Sequence, residues 1–202
     1  MALKVEGVIA KAAKVLETGD CDLAEEIVAG DDEIDDMLVS LTKQCYDILS
    51  TQAPVAGDLR LVVSVVRIVS DLERTADLCL RIAKLAPNQE MIASHPRTFA
   101  LIGSMAKKAL HLFSAATRAW STQDLRAARA LEQLDDELDA DTTRLMEEIL
   151  LIKGPDAVAV AVTTLLAGRA LERIADHSVM MGERLAYMLT GDEHSLSREV
   201  GP

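Results

Sequence analysis

Aromatic side chains are nearly absent, with Phe, Tyr and Trp together making up 2 % of the chain. Sheet proteins draw on aromatic and β-branched residues to cover their pleated faces. The scarcity, beside plentiful Ala, Leu and Val, therefore favours an all-α fold. Positive charge is also short. There are 21 Lys and Arg against 33 Asp and Glu, a formal net charge of −12. This excludes general nucleic-acid binding, which needs a basic footprint, and is compatible with cation binding. Cysteine is limited to Cys21, Cys45 and Cys79, an odd number without CxxC spacing, as expected of small core residues in a reduced, cytosolic protein. Long apolar runs are missing too. The longest, around Ala157 to Ala167, is too short to span a bilayer. Lys4, Glu6, Lys11, Lys14 and Glu17 interrupt any apolar leader. The chain reads as soluble and cytoplasmic, reaching a membrane only through partners. It has no Gly-rich phosphate loop, no GxSxG and no Cys/His nucleophile arrangement, and reads as non-catalytic.

What is present is a duplicated acidic motif. Asp71-Leu-Glu-Arg-Thr-Ala-Asp77 returns as Ala170-Leu-Glu-Arg-Ile-Ala-Asp176. In each copy an Asp follows the Glu by four residues, which sets both carboxylates on one helix face. Steps of three and four through the first copy give Leu59, Val62, Val66, Val69, Glu73, Ala76, Leu80 and Ala83. Through the second they give Val158, Ala161, Leu165, Gly168, Glu172, Ala175, Val179 and Gly182. Such a row is the buried stripe of a packed helix, and the Glu is the one charged member each time. A buried charge costs several kcal/mol, roughly, unless it is paired or binds a metal.

The pattern in chain order predicts three helices, a break, and three more. The first covers 2–19 and ends at Gly19, and Asp20 or Asp22 can cap the second, over about 21–51. Pro54 separates it from a third over about 55–86. Residues 87–96 read as a polar connector. Helices over 97–121, 123–152 and 156–189 follow, then a loose polar tail. Asp31-Asp-Glu-Ile-Asp35 matches Asp135-Asp-Glu-Leu-Asp139 at an offset of 104, and the Leu-Glu-Arg copies match at 99. The expected architecture is two tandem three-helix bundles related by pseudo-two-fold symmetry. The first is 1–87, the second 96–190, and 191–202 the tail.

Neighbouring second and third helices would bring four carboxylates to one level in each half: Asp31, Asp35, Glu73 and Asp77, then Asp135, Asp139, Glu172 and Asp176. Clustered carboxylates need protons or cations. All-oxygen donors suit Mg, Ca or Mn, and also iron in carboxylate-rich sites. An alternative is a salt-bridge net with Arg60, Arg67, Arg74 and Arg81, which recur every seven residues. A third reading is a set of solvated faces. The Arg row could instead dock an acidic partner or an anion. A carboxylate-bridged metal enzyme or a metal store is the rival function. No Glu has a His three residues on, which counts against oxygen activation. A lone His177 is more often structural than a ligand.

The motifs Asp31-Asp-Glu-Ile-Asp35, Gln52-Ala-Pro-Val-Ala-Gly-Asp-Leu-Arg60, Arg67-Ile-Val-Ser-Asp-Leu-Glu-Arg74 with Asp77, and Arg169-Ala-Leu-Glu-Arg-Ile-Ala-Asp-His177 resemble the PhoU family of phosphate-uptake regulators over roughly residues 10–190. The resemblance implies two three-helix bundles. It also implies multinuclear metal clusters, iron in some members (Zn, Mn, Mg and Ca being the alternatives), on E/D-x-x-x-D motifs. It implies negative control of the phosphate regulon by contact with the phosphate ABC transporter's ATPase subunit and a sensor histidine kinase. A homodimer stays open. Glu73 with Asp77 and Glu172 with Asp176 match the family motif, and Asp31 with Asp35 and Asp135 with Asp139 its Asp form. Two departures stand out. The first helix starts about a dozen residues late relative to its counterpart near Arg97, as a truncated amino terminus would. His177 has no counterpart in the first copy, where Leu78 stands.

Overall fold

The computed structural model describes residues 1–196, and every regular element among them is helical. Helix α1 (Ala2–Thr18) buries Val5, Ile9, Ala12, Val15 and Leu16, spaced to fall on one stripe. Gly19 ends it in the left-handed region at φ 69, donating its N–H to Val15 O, a conformation that favours glycine. The Asp20 side chain accepts from Leu23 N at 2.9 Å and starts the next helix; Asp124 does the same for Ala127 N at 3.0 Å. The two caps lie 104 residues apart, so the repeat extends to its helix starts.

The predicted helix over 21–51 is two helices, α2 (Cys21–Ala29) and α3 (Asp31–Gln52), separated at Gly30. The Gly30 N–H still bonds back to Glu26 O and Ile27 O. The chain then restarts with Asp31, Asp32 and Glu33 in a first turn, where the positive end of the helix dipole favours carboxylates. Helix α4 (Ala56–Ala83) follows Pro54. It is shorter than the predicted 55–86. The expected polar connector is instead mostly helical. A 3-10 turn (Ala86–Asn88) leads into α5 (Gln89–Ala93), whose Ile92 is fully buried. An apolar anchor between polar residues holds this link against the core.

The second repeat is α6 (Pro96–Thr122), α7 (Leu125–Ile149) and α8 (Ala157–Thr190). Gly191 closes α8 at φ 73. Of the expected loose tail, Glu193–Leu196 forms a 3-10 turn against α8, and 197–202 lie outside the described residues.

Helices α6, α7 and α8 pack on one another. In the first repeat α1, α2 and α3 all pack on α4. The repeats meet through α4 against α8 and α1 against α6. Contacts between α4 and α8 join Thr75 to His177, Asp71 to Arg184 and Arg60 to Met188. One set of numbers rises as the other falls, so the two helices run antiparallel, as a pseudo-two-fold axis perpendicular to them would set like elements. The main apolar core runs through both repeats, from Val5 and Ile9 through Cys79 and Ile82 to Phe113, Leu138 and Met181, with a small satellite of Ala119, Ala128, Leu185 and Met188.

Candidate functional site

The acidic seam is half-buried and forms one edge of the core. On α4 the buried face carries Ile68, Leu72, Thr75, Leu78, Cys79 and Ile82 together with Val62, Val69, Ala76 and Ala83 of the seam, while Leu59 is 41 % exposed. On α8 Val158 is 77 % exposed. The predicted stripe is thus turned partly toward solvent at its N-terminal ends. Glu73, Asp77, Glu172 and Asp176 lie at its edge, at intermediate burial. Asp31 is also intermediate, Asp35 and Asp139 are exposed, and Asp135 is buried.

In the first repeat the four carboxylates feel one another. Partial burial raises the Asp31 carboxyl above its ordinary range, and the charges of Asp35, Asp77 and Asp32 push it further, against the smaller effect of Lys84. Glu73 is likewise raised by burial, then by Asp77, Asp35 and Asp31, with Arg74 opposing. The α3 start and the middle of α4 therefore gather Asp31, Asp35, Glu73 and Asp77. The second repeat gathers less. Burial raises Glu172, Arg169 lowers it, and Asp176 and Asp139 add to the rise. Arg169 pairs with Glu172 one turn away, and Asp135 and Asp176 are engaged in interactions of their own.

As the side chains stand, no group of three or more His, Cys, Asp and Glu among the described residues could hold a metal ion. The donor set of the first repeat nonetheless fits a hard cation. It is all oxygen, open to solvent on one side, and carries mutual repulsion that a cation would relieve. The second repeat fits less well, because Arg169 already offsets part of its charge.

The arginine row does not act as one strip. Arg60 is half-buried and donates from Nε to Met188 O at 3.2 Å. Arg67, Arg74 and Arg81 are exposed.

Sequence reasoning missed a polar network where α4 meets α8. Asp71 (3 % exposed) and Arg184 (5 %) form a buried ion pair between the repeats. Burial lowers the Arg184 guanidinium to about 10, helped by Arg67, and it stays charged at neutral pH. Thr75 Oγ1 donates to Asp71 O at 2.7 Å and lies 3.0 Å from His177 Nδ1. The hydroxyl proton is committed to the carbonyl, so Nδ1–H donates to Oγ1. Burial, then Arg173 and Arg74, lower His177 to about 4, so it is neutral and structural. A signal was available. Asp71 and Thr75 stand where the other repeat has Ala170 and Ile174, and polar groups that break a repeat at its contact face mark a pairing across it. A second missed group is buried Asp141, which accepts from Lys108 Nζ and Ser104 Oγ, each at 2.7 Å. Burial opposes its charge, but these bonds and the charges of Lys108 and Arg144 outweigh it and hold the carboxyl below its ordinary range.

Two like bundles joined at antiparallel α4 and α8, each with a carboxylate group on its last two helices, define a duplicated helical-bundle protein. The PhoU domain model matches residues 1–86 and 102–185. A Mycobacterium tuberculosis protein, "Phosphate-specific transport system accessory protein PhoU homolog 1", is 34% identical over 185 residues, spanning 90% of this chain and 82% of its own. A Pseudomonas aeruginosa protein, "Phosphate-specific transport system accessory protein PhoU homolog", is 27% identical over 191 residues, 94% of this chain and 79% of its own. The crystal structure of PhoU from P. aeruginosa superposes with a TM-score of 0.88 at 27% identity, covering 95% of this chain and 93% of that one. That of the phosphate transport system regulatory protein PhoU from Streptococcus pneumoniae gives 0.81 at 28%, covering 95% and 90%. The chain belongs to the PhoU family. No helix among the described residues is long and apolar enough to cross a membrane.

Proposed function

We propose that this chain is a non-catalytic, metal-binding regulatory adaptor of phosphate uptake. It acts in the cytoplasm and restrains the phosphate regulon through contacts with the phosphate transporter's ATPase subunit and its sensor histidine kinase. The observation that carries this reading is the family match over both repeats, with relatives described as accessory proteins of a phosphate-specific transport system. The acidic seam supports the metal part. Asp31, Asp35, Glu73 and Asp77 would hold one cluster, and Asp135, Asp139, Glu172 and Asp176 a second. Iron is the first candidate, with Zn, Mn, Mg and Ca as alternatives. The ions would supply the positive charge that lets these carboxylates stay ionised side by side.

The regulatory part is tested by pull-down from phosphate-replete and phosphate-starved cells, scored for the ATPase subunit and the kinase. Capture of either, changing with phosphate supply, is the expected result; capture of neither overturns it. The metal part is tested by elemental analysis of protein purified without chelator. Bound metal that is lost in Glu73→Gln with Glu172→Gln is expected. Background levels in the parent chain would end this part of the reading.

A further inference from the structure

One face of α8 is apolar, then basic, and uncovered. Val158, Val162 and Leu166 are 77 %, 49 % and 55 % exposed, and Arg169 and Arg173 continue the row. Spacings of four, four, three and four keep all five on one face. Its basic end is deepened from the other repeat. Arg81 of α4 and Lys84 just past its end meet Arg169 and Arg173 around a groove of about 440 Å³, lined also by Leu78, Leu85 and Ala170. Four cations thus converge in a chain of net charge −12. Arg169 pairs with Glu172; among the described residues, Arg81, Lys84 and Arg173 form no ion pair.

We infer that this surface docks an acidic amphipathic helix of a partner protein. The groove's charge is opposite to the rest of the chain, so an anionic segment is drawn to it and a cationic one is not. The face from Val158 to Arg173 is about 22 Å long, the length of a peptide helix of some four turns rather than of a small ion. Aliphatic side chains of the partner cover Val158, Val162 and Leu166, and its carboxylates meet the arginines, in helix-in-groove recognition. The same register on α4 reads Leu59, Val63, Arg67, Ser70 and Arg74. There Ser70 replaces a cation and Arg67 is already engaged, so the α8 face is the stronger of the two. This inference rests on the adaptor reading for the identity of the partner but not for the chemistry of the surface.

The test uses the full chain and its variant Arg81→Glu with Arg173→Glu. Both side chains are exposed, so the helical circular dichroism signal should be unchanged. Val162→Asp probes the apolar end, and Arg126→Glu on α7 is the control. The probe is a labelled synthetic helix of about 15 residues, with leucines along one face and glutamates beside them. Binding should weaken with salt and fall about tenfold in the double variant, a change of about 1.4 kcal/mol. Val162→Asp should also weaken it, and the control should not. Equal binding by all variants overturns the proposal. So does binding of phosphatidylserine vesicles or inorganic phosphate in place of the peptide, since either would make the surface a lipid or phosphate site. Should the parent chain and the double variant capture the ATPase subunit and the kinase equally, the surface assignment falls and the adaptor reading stands. Should neither chain capture them while the peptide binds as described, the adaptor reading falls and the surface stands.

Discussion

Asp71 and Arg184 carry opposite charges into the contact between α4 and α8, and each depends on the other. Arg184→Met leaves a buried carboxylate without its cation and should cost about 3–5 kcal/mol of unfolding free energy. Asp71→Leu with Arg184→Met removes both charges and should recover most of that loss; urea titration of the three proteins measures it. His177 supplies a pH dependence. Its folded pKa, about 4, lies below its ordinary 6.5, so the folded chain takes up a proton less readily than the unfolded one. Its contribution is complete above pH 6.5 and is lost as the pH falls toward 4, by about 3 kcal/mol in all. In chelator-treated protein, His177→Gln should flatten the stability profile across this window. An unchanged slope would place the titration elsewhere.

Between elements, close approach of α7 and α8 depends on two glycines with different neighbours. A Cβ on Gly182 would meet the Ala128 backbone carbonyl at 2.8 Å, while one on Gly168 would meet chiefly the end of the Leu145 side chain. A side-chain tip can swing away and a helix backbone cannot. Gly182→Ala should therefore cost about 1–3 kcal/mol and Gly168→Ala less, as thermal melts of the two variants will show. The carboxylates between α3 and α4 make a prediction of the opposite sign. Folding raises the pKa of Asp31 and Glu73, so their share of stability is present at low pH and is lost as the pH rises through the raised values. In metal-free protein at pH 7, Glu73→Gln should hold or raise the melting temperature. The same change should reduce any rise that added metal gives the parent chain. A fall in the metal-free melting temperature would contradict the repulsion.

Across the whole molecule, the continuous core and the buried α4–α8 pair tie the repeats together. Trp120, the only tryptophan, lies in the second repeat and donates to Met181 O at 2.7 Å. Its fluorescence reports that repeat, whereas far-ultraviolet circular dichroism reports helices of both. The two signals should unfold at one midpoint in urea; separate midpoints would mean that the repeats fold as independent units. The repeat itself was legible in the sequence. Its caps at Asp20 and Asp124 and its acidic motifs recur at offsets of 104 and 99 because each is set by local backbone chemistry, although the left-handed stop is Gly19 in one repeat and Gln123 in the other. The break at Gly30 was harder to see, since a glycine within an apolar period is tolerated in many helices. The burial of Ile92 was hidden because one apolar residue in a polar stretch has no period to betray it.

Amino-acid order alone determined the helical class, the duplication and the placement of the acidic motifs along it, because helix periodicity and capping act within a few residues. Tertiary structure decided which face of α4 and α8 is buried, that Asp71 and Arg184 pair, and that Arg81, Lys84, Arg169 and Arg173 share one groove. Those facts depend on how two helices about a hundred residues apart in the chain rotate against each other. Rotation about the helix axis is set by the sum of packing on all sides, and no single stretch encodes it.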